Sequence, residues 1–207
     1  MTEALSFVHR FEQGKSTEPP LLLLHGTGGD ENDLIPLGQM IAPDATLISP
    51  RGKVLENGMP RFFRRLADGV FDEDDVRRRA ADLADFIAAA RAHYRLAAPI
   101  ALGYSNGANT AAAVLLLRPE ALAGAILLRA TLPLSETAPV DLAGKPVLIL
   151  SGAMDPMMSP DRAARLASVL QGCGAAVEHR TLPSGHELSQ TDVSLAKAWL
   201  KARALAS

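Results

Sequence analysis

Ser105 lies at the centre of a Gly-x-Ser-x-Gly pattern formed by residues 103–107. The apolar run Ile100–Leu102 precedes the pattern, and an alanine-rich stretch of helical character follows it. A serine on a sharp turn between a strand and a helix presents its hydroxyl outside the sheet, at the start of the helix. Glycines two residues to either side let the helix pack close to the strand. The pattern therefore predicts a nucleophile elbow with Ser105 as the nucleophile.

A nucleophilic serine needs a base that takes its proton and a carboxylate that orients the base. Asp155 and His186 follow Ser105 in the order serine, acid, histidine, and each lies a few residues beyond a predicted strand. Ligands of open α/β sheets bind where the carboxyl ends of the strands meet. The sequence thus predicts a catalytic triad of Ser105, Asp155 and His186. Asp161 is the alternative carboxylate, because Asp155 followed by proline is also compatible with a plain turn.

Acyl transfer also needs two hydrogen-bond donors aimed at the oxyanion. One candidate is the backbone N–H of Asn106, the residue directly after the nucleophile. The glycine-rich loop His25–Gly29 supplies the other, which we assign to Thr27. The loop glycines are equally compatible with a phosphate-binding nest. Neither a Walker lysine nor a G-x-G-x-x-G spacing accompanies them, which favours the oxyanion hole.

The segment Asn57–Leu66 mixes apolar and arginine side chains within the long connection Arg51–Phe71. Connections of this length often carry function. Two interpretations stay open for Arg61 and Arg64, which either bind a substrate carboxylate or pair with the acidic residues Asp72–Asp75. The apolar side chains form either a pocket wall or ordinary core. The candidate pocket residues are Met59, Arg61, Phe62, Phe63 and Met158.

Strands and helices must alternate along the chain to position these residues. Continuous apolar runs are typical of buried parallel strands, and they occur at Leu21–Leu24, Thr46–Pro50, Ala125–Leu128 and Val147–Leu150. A further strand is predicted at Val177–Leu182, and the alternation in Leu5–Phe11 predicts an edge strand. Helical patterns cover Asp33–Ile41, Asp72–Tyr94, the elbow helix to about Arg118, Ser159–Leu170, and Ser189 or Gln190 to Leu205.

This alternation predicts an α/β fold with a mostly parallel sheet and helices on both faces. The 207 residues, of which 48% are hydrophobic, suit a single domain spanning residues 1–207. No insertion is long enough to build a large cap domain.

Charge and composition exclude several function classes. The net charge of −2 argues against a nucleic-acid partner. The longest apolar run, Ala108–Leu117, is interrupted by polar residues and is shorter than the roughly 20 residues of a membrane span. Charged residues near the amino terminus do not fit a signal peptide, and Cys173 has no partner cysteine, so we expect a cytoplasmic protein. No cluster has metal-ligand spacing, and we expect neither a metal nor a cofactor.

Five motifs together resemble the phospholipase/carboxylesterase family of α/β-hydrolases, which includes acyl-protein thioesterases and small bacterial carboxylesterases. The motifs are Leu24–Asp30, Ser49–Gly52, Gly103–Gly107, Gly152–Pro156 and Gly185–His186, and the likeness covers nearly the whole chain. The resemblance implies the α/β-hydrolase fold, the triad named above, oxyanion donors on Thr27 and Asn106, and a small-molecule ester as substrate. Homodimers are common among proteins with this resemblance, so a homodimer is a further expectation.

The chain departs from part of the family at two places. Thioesterase members usually carry Gln where Asn106 stands, and the segment Met59–Leu66 is rich in arginine and phenylalanine, which looks more like small bacterial hydrolases linked to quinone or aromatic stress. Dienelactone hydrolases usually use Cys where this chain has Ser105. We therefore expect a serine hydrolase of small carboxylic esters. The alternatives are an acyl thioesterase or lysophospholipase, a lactone hydrolase, and a non-catalytic small-molecule sensor on the same fold.

Overall fold

The computed structural model describes residues 5–16, 18–67 and 69–204. The strands in these ranges are β1 (His9–Glu12), β2 (Leu21–Leu24), β3 (Leu47–Pro50), β4 (Val54–Glu56), β5 (Met59–Arg61), β6 (Arg65–Ala67), β7 (Val70–Phe71), β8 (Ile100–Tyr104), β9 (Gly124–Leu128), β10 (Pro146–Gly152) and β11 (Ala176–Leu182). The helices are α1 (Ile35–Ile41), α2 (Glu73–Tyr94), α3 (Asn106–Leu117), α4 (Pro160–Gly172) and α5 (Gln190–Ala204), and a 3₁₀ turn lies at Pro119–Ala121.

The central sheet has seven strands in the order β1-β3-β2-β8-β9-β10-β11. β1 is antiparallel to β3, and every other neighbouring pair is parallel. The predicted mostly parallel sheet is therefore confirmed. The predicted edge strand is also present, although it covers His9–Glu12 instead of beginning at Leu5.

Helices cover both faces of the sheet because successive strand residues point to opposite sides. Leu22 and Leu24 belong to a core that also includes residues of α2, α3 and α4. Leu21 and Leu23 lie in a second core with residues of α1 and α5, among them Trp199. None of the described helices combines the length and the apolar character that a membrane-spanning helix needs.

The segment Arg51–Phe71, predicted as a long connection after β3, contains two hairpins, β4–β5 and β6–β7. Their strands are two or three residues long, which is too short to produce a detectable alternation. The first hairpin turns at Asn57 and Gly58, whose φ angles are 51° and 81°. An Asn-Gly pair with two positive φ angles is typical of a tight hairpin turn, so this dipeptide was a signal for the hairpin.

The remaining elements lie close to their predicted positions. Asp72 caps α2, because its side chain accepts a hydrogen bond from the Asp75 N–H, and Glu73, Asp74 and Asp75 follow in the first turn. Acidic residues stabilise this end of a helix through the helix dipole. α5 runs from Gln190 to Ala204, and Leu205, its predicted last residue, lies outside the described residues.

Candidate active site

Ser105 occupies the turn between β8 and α3 with φ 51° and ψ −113°. A positive φ is uncommon for a residue with a side chain. The turn is forced by close packing, since a Cβ added to Gly107 would lie 2.0 Å from the Leu24 carbonyl oxygen and one added to Gly103 would lie 2.7 Å from Ala108 Cα. The strand and the helix therefore meet at a distance that only glycine permits, and the serine between them takes the strained conformation.

The structure brings Ser105, His186 and Asp155 into one hydrogen-bonded chain. The Ser105 hydroxyl donates to His186 Nε2 over 3.0 Å, and His186 Nδ1–H donates to Asp155 Oδ2 over 2.8 Å. The second carboxylate oxygen of Asp155 accepts the N–H groups of Met157 and Met158 at 2.8 and 2.9 Å. The Asp155 side chain is fully buried, and that of His186 is 17% exposed. The carboxylate thus fixes the imidazole with Nε2 free to accept the serine proton.

Asp161, the alternative carboxylate, lies in the first turn of α4 and is exposed. Asp155 and not Asp161 contacts His186. The two aspartates differ because Asp155 lies in the loop after β10, three residues beyond the end of the strand, whereas Asp161 belongs to the next helix.

Arg129 holds the loop that carries His186, a role that sequence reasoning missed. It follows β9 and is completely buried. Its guanidinium pairs with both carboxylate oxygens of Asp192 at 2.7 and 3.0 Å. It also donates to the carbonyl oxygens of Gly185 and Glu187, which flank His186, at 2.9 and 3.0 Å. An arginine directly after a buried apolar strand was the signal that could have identified it.

Asp192 is the counter-ion of this arginine in the folded protein. Burial alone would raise the pKa of Asp192, but the hydrogen bonds from Arg129 and Ser189 outweigh burial and hold the pKa below its ordinary value. The carboxylate therefore stays charged inside the protein, as a buried charge does when it is paired and hydrogen-bonded. Tyr104 adds a further contact to the same loop, since its hydroxyl donates to the His186 carbonyl oxygen over 3.2 Å.

The glycine-rich loop after β2 is held by the buried imidazole of His25. Its Nδ1–H donates to the Gly26 carbonyl oxygen over 2.6 Å, and its Nε2 accepts the Gly52 N–H over 2.9 Å. Burial lowers the pKa of His25, which agrees with a neutral ring that uses one nitrogen as an acceptor. The Gly28 N–H donates to Pro60 and thereby ties the loop to the first hairpin.

Thr27 and Asn106, the proposed oxyanion donors, both line a cavity beside Ser105. Within the described ranges, neither backbone N–H donates to another protein group. The Asn106 side chain is held in place, because its Oδ1 accepts the Phe62 N–H over 2.8 Å. Its amide Nδ2 is buried and has no hydrogen-bond partner in this part of the chain. Two residues that line the cavity together with Ser105 therefore have backbone N–H groups without an acceptor among the described residues.

The cavity has a volume of about 290 Å³. Of the candidate pocket residues, Arg61 and Met158 line it. Phe62 and Phe63 are 2% and 1% exposed and belong to the core, and Met59 lies outside the lining, with its sulfur near Gly28. An apolar run does not by itself distinguish core from pocket, which explains the different placement of the two phenylalanines.

Arg61 and Arg64, for which the sequence allowed two interpretations, have different partners. Arg64 pairs with Asp72 at 2.7 Å, as the interpretation based on the acidic cluster expected. Arg61 instead forms an ion pair with Glu56 and donates to the Phe63 carbonyl oxygen over 3.2 Å. Glu56 lies in β4, five residues before Arg61 across the hairpin, so this pairing depends on a hairpin that the sequence analysis did not predict.

Comparisons with known proteins agree with this architecture. A family model described as Phospholipase/Carboxylesterase matches residues 10–204. MhqD of Bacillus subtilis, a protein assigned to the hydrolases, is 46% identical over 93% of this chain and 97% of its own length. A Bacillus cereus carboxylesterase structure is 43% identical with a TM-score of 0.93, covering 95% of this chain and 94% of that one. A Mesorhizobium loti carboxylesterase structure is 35% identical with a TM-score of 0.91, covering 96% of both chains.

Proposed function

The chain belongs to the phospholipase/carboxylesterase family of α/β-hydrolases, and from that premise we propose that it hydrolyses small carboxylic esters through an acyl-enzyme on Ser105. The observation that carries the proposal is the pair of hydrogen bonds that joins Ser105 to His186 and His186 to Asp155, at 3.0 and 2.8 Å. A hydroxyl within reach of a base, which is itself oriented by a carboxylate, is the arrangement that activates a serine nucleophile.

The reaction begins when His186 Nε2 takes the proton of Ser105 as the serine oxygen attacks the ester carbonyl carbon. The negative charge that develops on the carbonyl oxygen is stabilised by the N–H groups of Asn106 and Thr27. Collapse of the tetrahedral intermediate breaks the bond to the alcohol, which takes the proton from His186 and leaves. The acyl group then remains on Ser105 as an ester.

Water completes the cycle by the same route in reverse. His186 takes a proton from a water molecule, whose oxygen attacks the acyl carbon of the Ser105 ester. The second tetrahedral intermediate collapses to the free acid, and the proton returns to the serine oxygen. Asp155 keeps the imidazole in one tautomer through both halves of the reaction.

A small substrate suits the cavity, because about 290 Å³ lies just below the roughly 300–1,000 Å³ that is usual for ligand pockets. Asn106, Asn109 and three arginines contribute to its lining, which favours short or polar acyl groups over long alkyl chains. The match of the family model to most of the chain supports the further proposal that residues 1–207 form one domain.

Labelling with a fluorophosphonate tests the proposed nucleophile, because this reagent reacts with activated serines. We expect stoichiometric labelling of the wild-type protein and none of the Ser105→Ala variant. Ser151→Ala is the matched control, since Ser151 Oγ also lies 2.9 Å from a histidine nitrogen, His179 Nε2, yet Ser151 is buried in β10. Labelling that survives Ser105→Ala, or disappears with Ser151→Ala, would contradict the assignment.

Hydrolysis of a panel of esters, thioesters and lactones with graded acyl length identifies the preferred substrate type. Thioesters and lactones follow the same chemical path through an acylated serine, so the panel decides among them by kcat/KM. We expect the highest values for esters with short acyl groups. A protein that binds these compounds without any Ser105-dependent turnover would instead be a sensor.

A further inference from the structure

Three arginines contribute to the cavity beside Ser105, namely Arg61, Arg65 and Arg162. The lining residues that the structure describes include no aspartate or glutamate. Asp155, which contacts His186, has a fully buried side chain and is not part of the lining. The described lining residues therefore include three positively charged side chains and no negatively charged one, although the whole chain carries a net charge of −2.

Arg162 differs from the other two arginines in its partners. Arg61 and Arg65 both pair with Glu56, one with each carboxylate oxygen. Arg162 donates to the carbonyl oxygen of Gly69 over 2.8 Å, and no carboxylate in residues 5–16, 18–67 and 69–204 forms an ion pair with it. A carbonyl group carries no formal charge, so the positive charge of Arg162 is uncompensated within this part of the chain.

The backbone fixes the place from which Arg162 reaches the cavity. It lies in the first turn of α4, a helix that starts five residues after Asp155. Its bond to Gly69 holds it against the hairpin β6–β7, where Gly69 has a φ of 72°. One guanidinium nitrogen is used by that bond, and a planar guanidinium has further donors that suit a carboxylate.

We propose that this cavity selects small esters that also carry an ionised carboxylate group, and that Arg162 binds this carboxylate. The inference rests on the proposed ester hydrolysis at Ser105 and names its substrate class. A guanidinium next to a partly enclosed cavity attracts an anion more strongly than it would in open water. The cavity volume of about 290 Å³ suits a substrate of the size of a half-ester of a short dicarboxylic acid.

The test compares substrates of the same shape that differ in charge. Monoethyl glutarate has its carboxylate on the acyl side and is compared with ethyl 4-carbamoylbutanoate, in which an uncharged amide replaces the carboxylate. The sodium salt of 3-acetoxypropanoic acid and its amide form a second pair, with the charge on the alcohol side. The measured quantity is the ratio of kcat/KM for acid over amide. We expect this ratio to exceed about tenfold in one of the two pairs.

Substitutions at Arg162 separate substrate binding from support of the hairpin. Arg162→Gln should reduce the ratio about tenfold, and Arg162→Lys, which keeps the charge, should retain part of it. Arg165→Gln is the matched control, since Arg165 belongs to the same helix but lines a neighbouring cavity and not the one beside Ser105, and it should leave the ratio unchanged. Raising the NaCl concentration from 50 to 500 mM should lower the wild-type ratio through screening.

The outcomes distinguish this inference from the proposed function. Equal kcat/KM for acid and amide in both pairs, or a ratio that Arg162→Gln does not change, overturns the carboxylate site while Ser105-dependent hydrolysis stands. If no ester in either pair or in the wider panel is hydrolysed in a Ser105-dependent way, the proposed function itself fails.

Discussion

Arg129 and Asp192 form a buried bidentate ion pair next to the loop of His186, although neither residue belongs to the proposed triad. The two side chains are 0% and 1% exposed. The remaining donors of Arg129 hold the carbonyl groups on either side of His186. The orientation of the imidazole toward Ser105 therefore depends on a charged group that does not touch the imidazole.

Stability and activity should respond differently when this pair is removed. Arg129→Met leaves Asp192 buried and unpaired, so the free energy of unfolding should fall by about 3–5 kcal/mol. The double variant Arg129→Met with Asp192→Leu removes the unpaired charge and should recover most of this loss in urea unfolding. Its kcat for ester hydrolysis should stay low, because the carbonyl groups of Gly185 and Glu187 have lost their donor.

The exposed arginine Arg118, which pairs with Asp85 and Glu120, provides the comparison for these variants. Arg118→Met should change the free energy of unfolding by less than about 1 kcal/mol. A double variant with full wild-type kcat would show that Arg129 stabilises the fold without positioning His186.

Asp155→Asn should reduce kcat by about 10³- to 10⁴-fold with a small effect on KM, because the amide no longer orients the His186 tautomer. The fold should survive, since an amide oxygen can still accept the N–H groups of Met157 and Met158. Steady-state kinetics with a short ester measure the effect. Asp161→Asn changes a nearby exposed aspartate and should stay within about twofold of wild type; equal losses in both variants would refute the choice of Asp155.

Stability should depend on pH through His25. Burial lowers its pKa from the ordinary 6.5, so below that pH the unfolded chain binds a proton that the folded protein does not. The contribution of His25 to stability is therefore fully present above pH 6.5 and is lost as the pH falls toward the folded pKa. Urea unfolding between pH 7 and about pH 5 should show this loss, and a His25→Gln variant should show less of it.

Burial also lowers the pKa of His179. His179 therefore makes the free energy of unfolding fall with decreasing pH in the same direction, both in the wild type and in the His25→Gln variant. The difference between wild type and His25→Gln isolates the part due to His25. If the free energy of unfolding fell equally with decreasing pH in the wild type and in His25→Gln, His25 would not be the cause of the pH dependence.

Two glycine-to-alanine substitutions should change the stability of the protein in opposite directions. Gly172→Ala, at the end of α4, meets nothing within 4 Å and should stabilise the protein by about 0.5–1 kcal/mol through lower entropy of the unfolded chain. Gly107→Ala should destabilise it by several kcal/mol, because the new methyl group would lie 2.0 Å from the Leu24 carbonyl oxygen. Thermal unfolding measures both. A stabilising Gly107→Ala would disprove the close contact at the elbow.

Much of the fold was predictable because its signals are local. The buried runs of β2, β8, β9 and β10 are continuous apolar stretches, and the turn at Ser105 is encoded by glycines two residues to either side. The contact between Ser105, Asp155 and His186 was predictable because each residue follows a predicted strand and the strand ends meet at one edge of the sheet, although the three residues are far apart in sequence. Their roles in catalysis remain predictions that the experiments above address.

The parts that escaped prediction depend on contacts between distant segments. Arg129 has a role only because α5 brings Asp192 beside it, and the residue's own neighbours in sequence do not reveal that pairing. The pairing of Glu56 with Arg61 and Arg65 similarly requires the hairpins to form. Phe62 and Phe63 are core residues because they pack in the same cluster as residues of α2 and α3, which no short apolar pattern encodes.

The hairpins β4–β5 and β6–β7 pair within themselves and not with the seven-stranded sheet. They nevertheless supply Arg61, Arg65 and Phe71 to the cavity wall. We therefore expect substitutions at these lining positions to change substrate preference more than they change the hydrogen-bonded pairing of the central sheet. A combinatorial library limited to Arg65 and Phe71, which line the cavity and lie outside the buried core, is a practical starting point for directed evolution of new specificities.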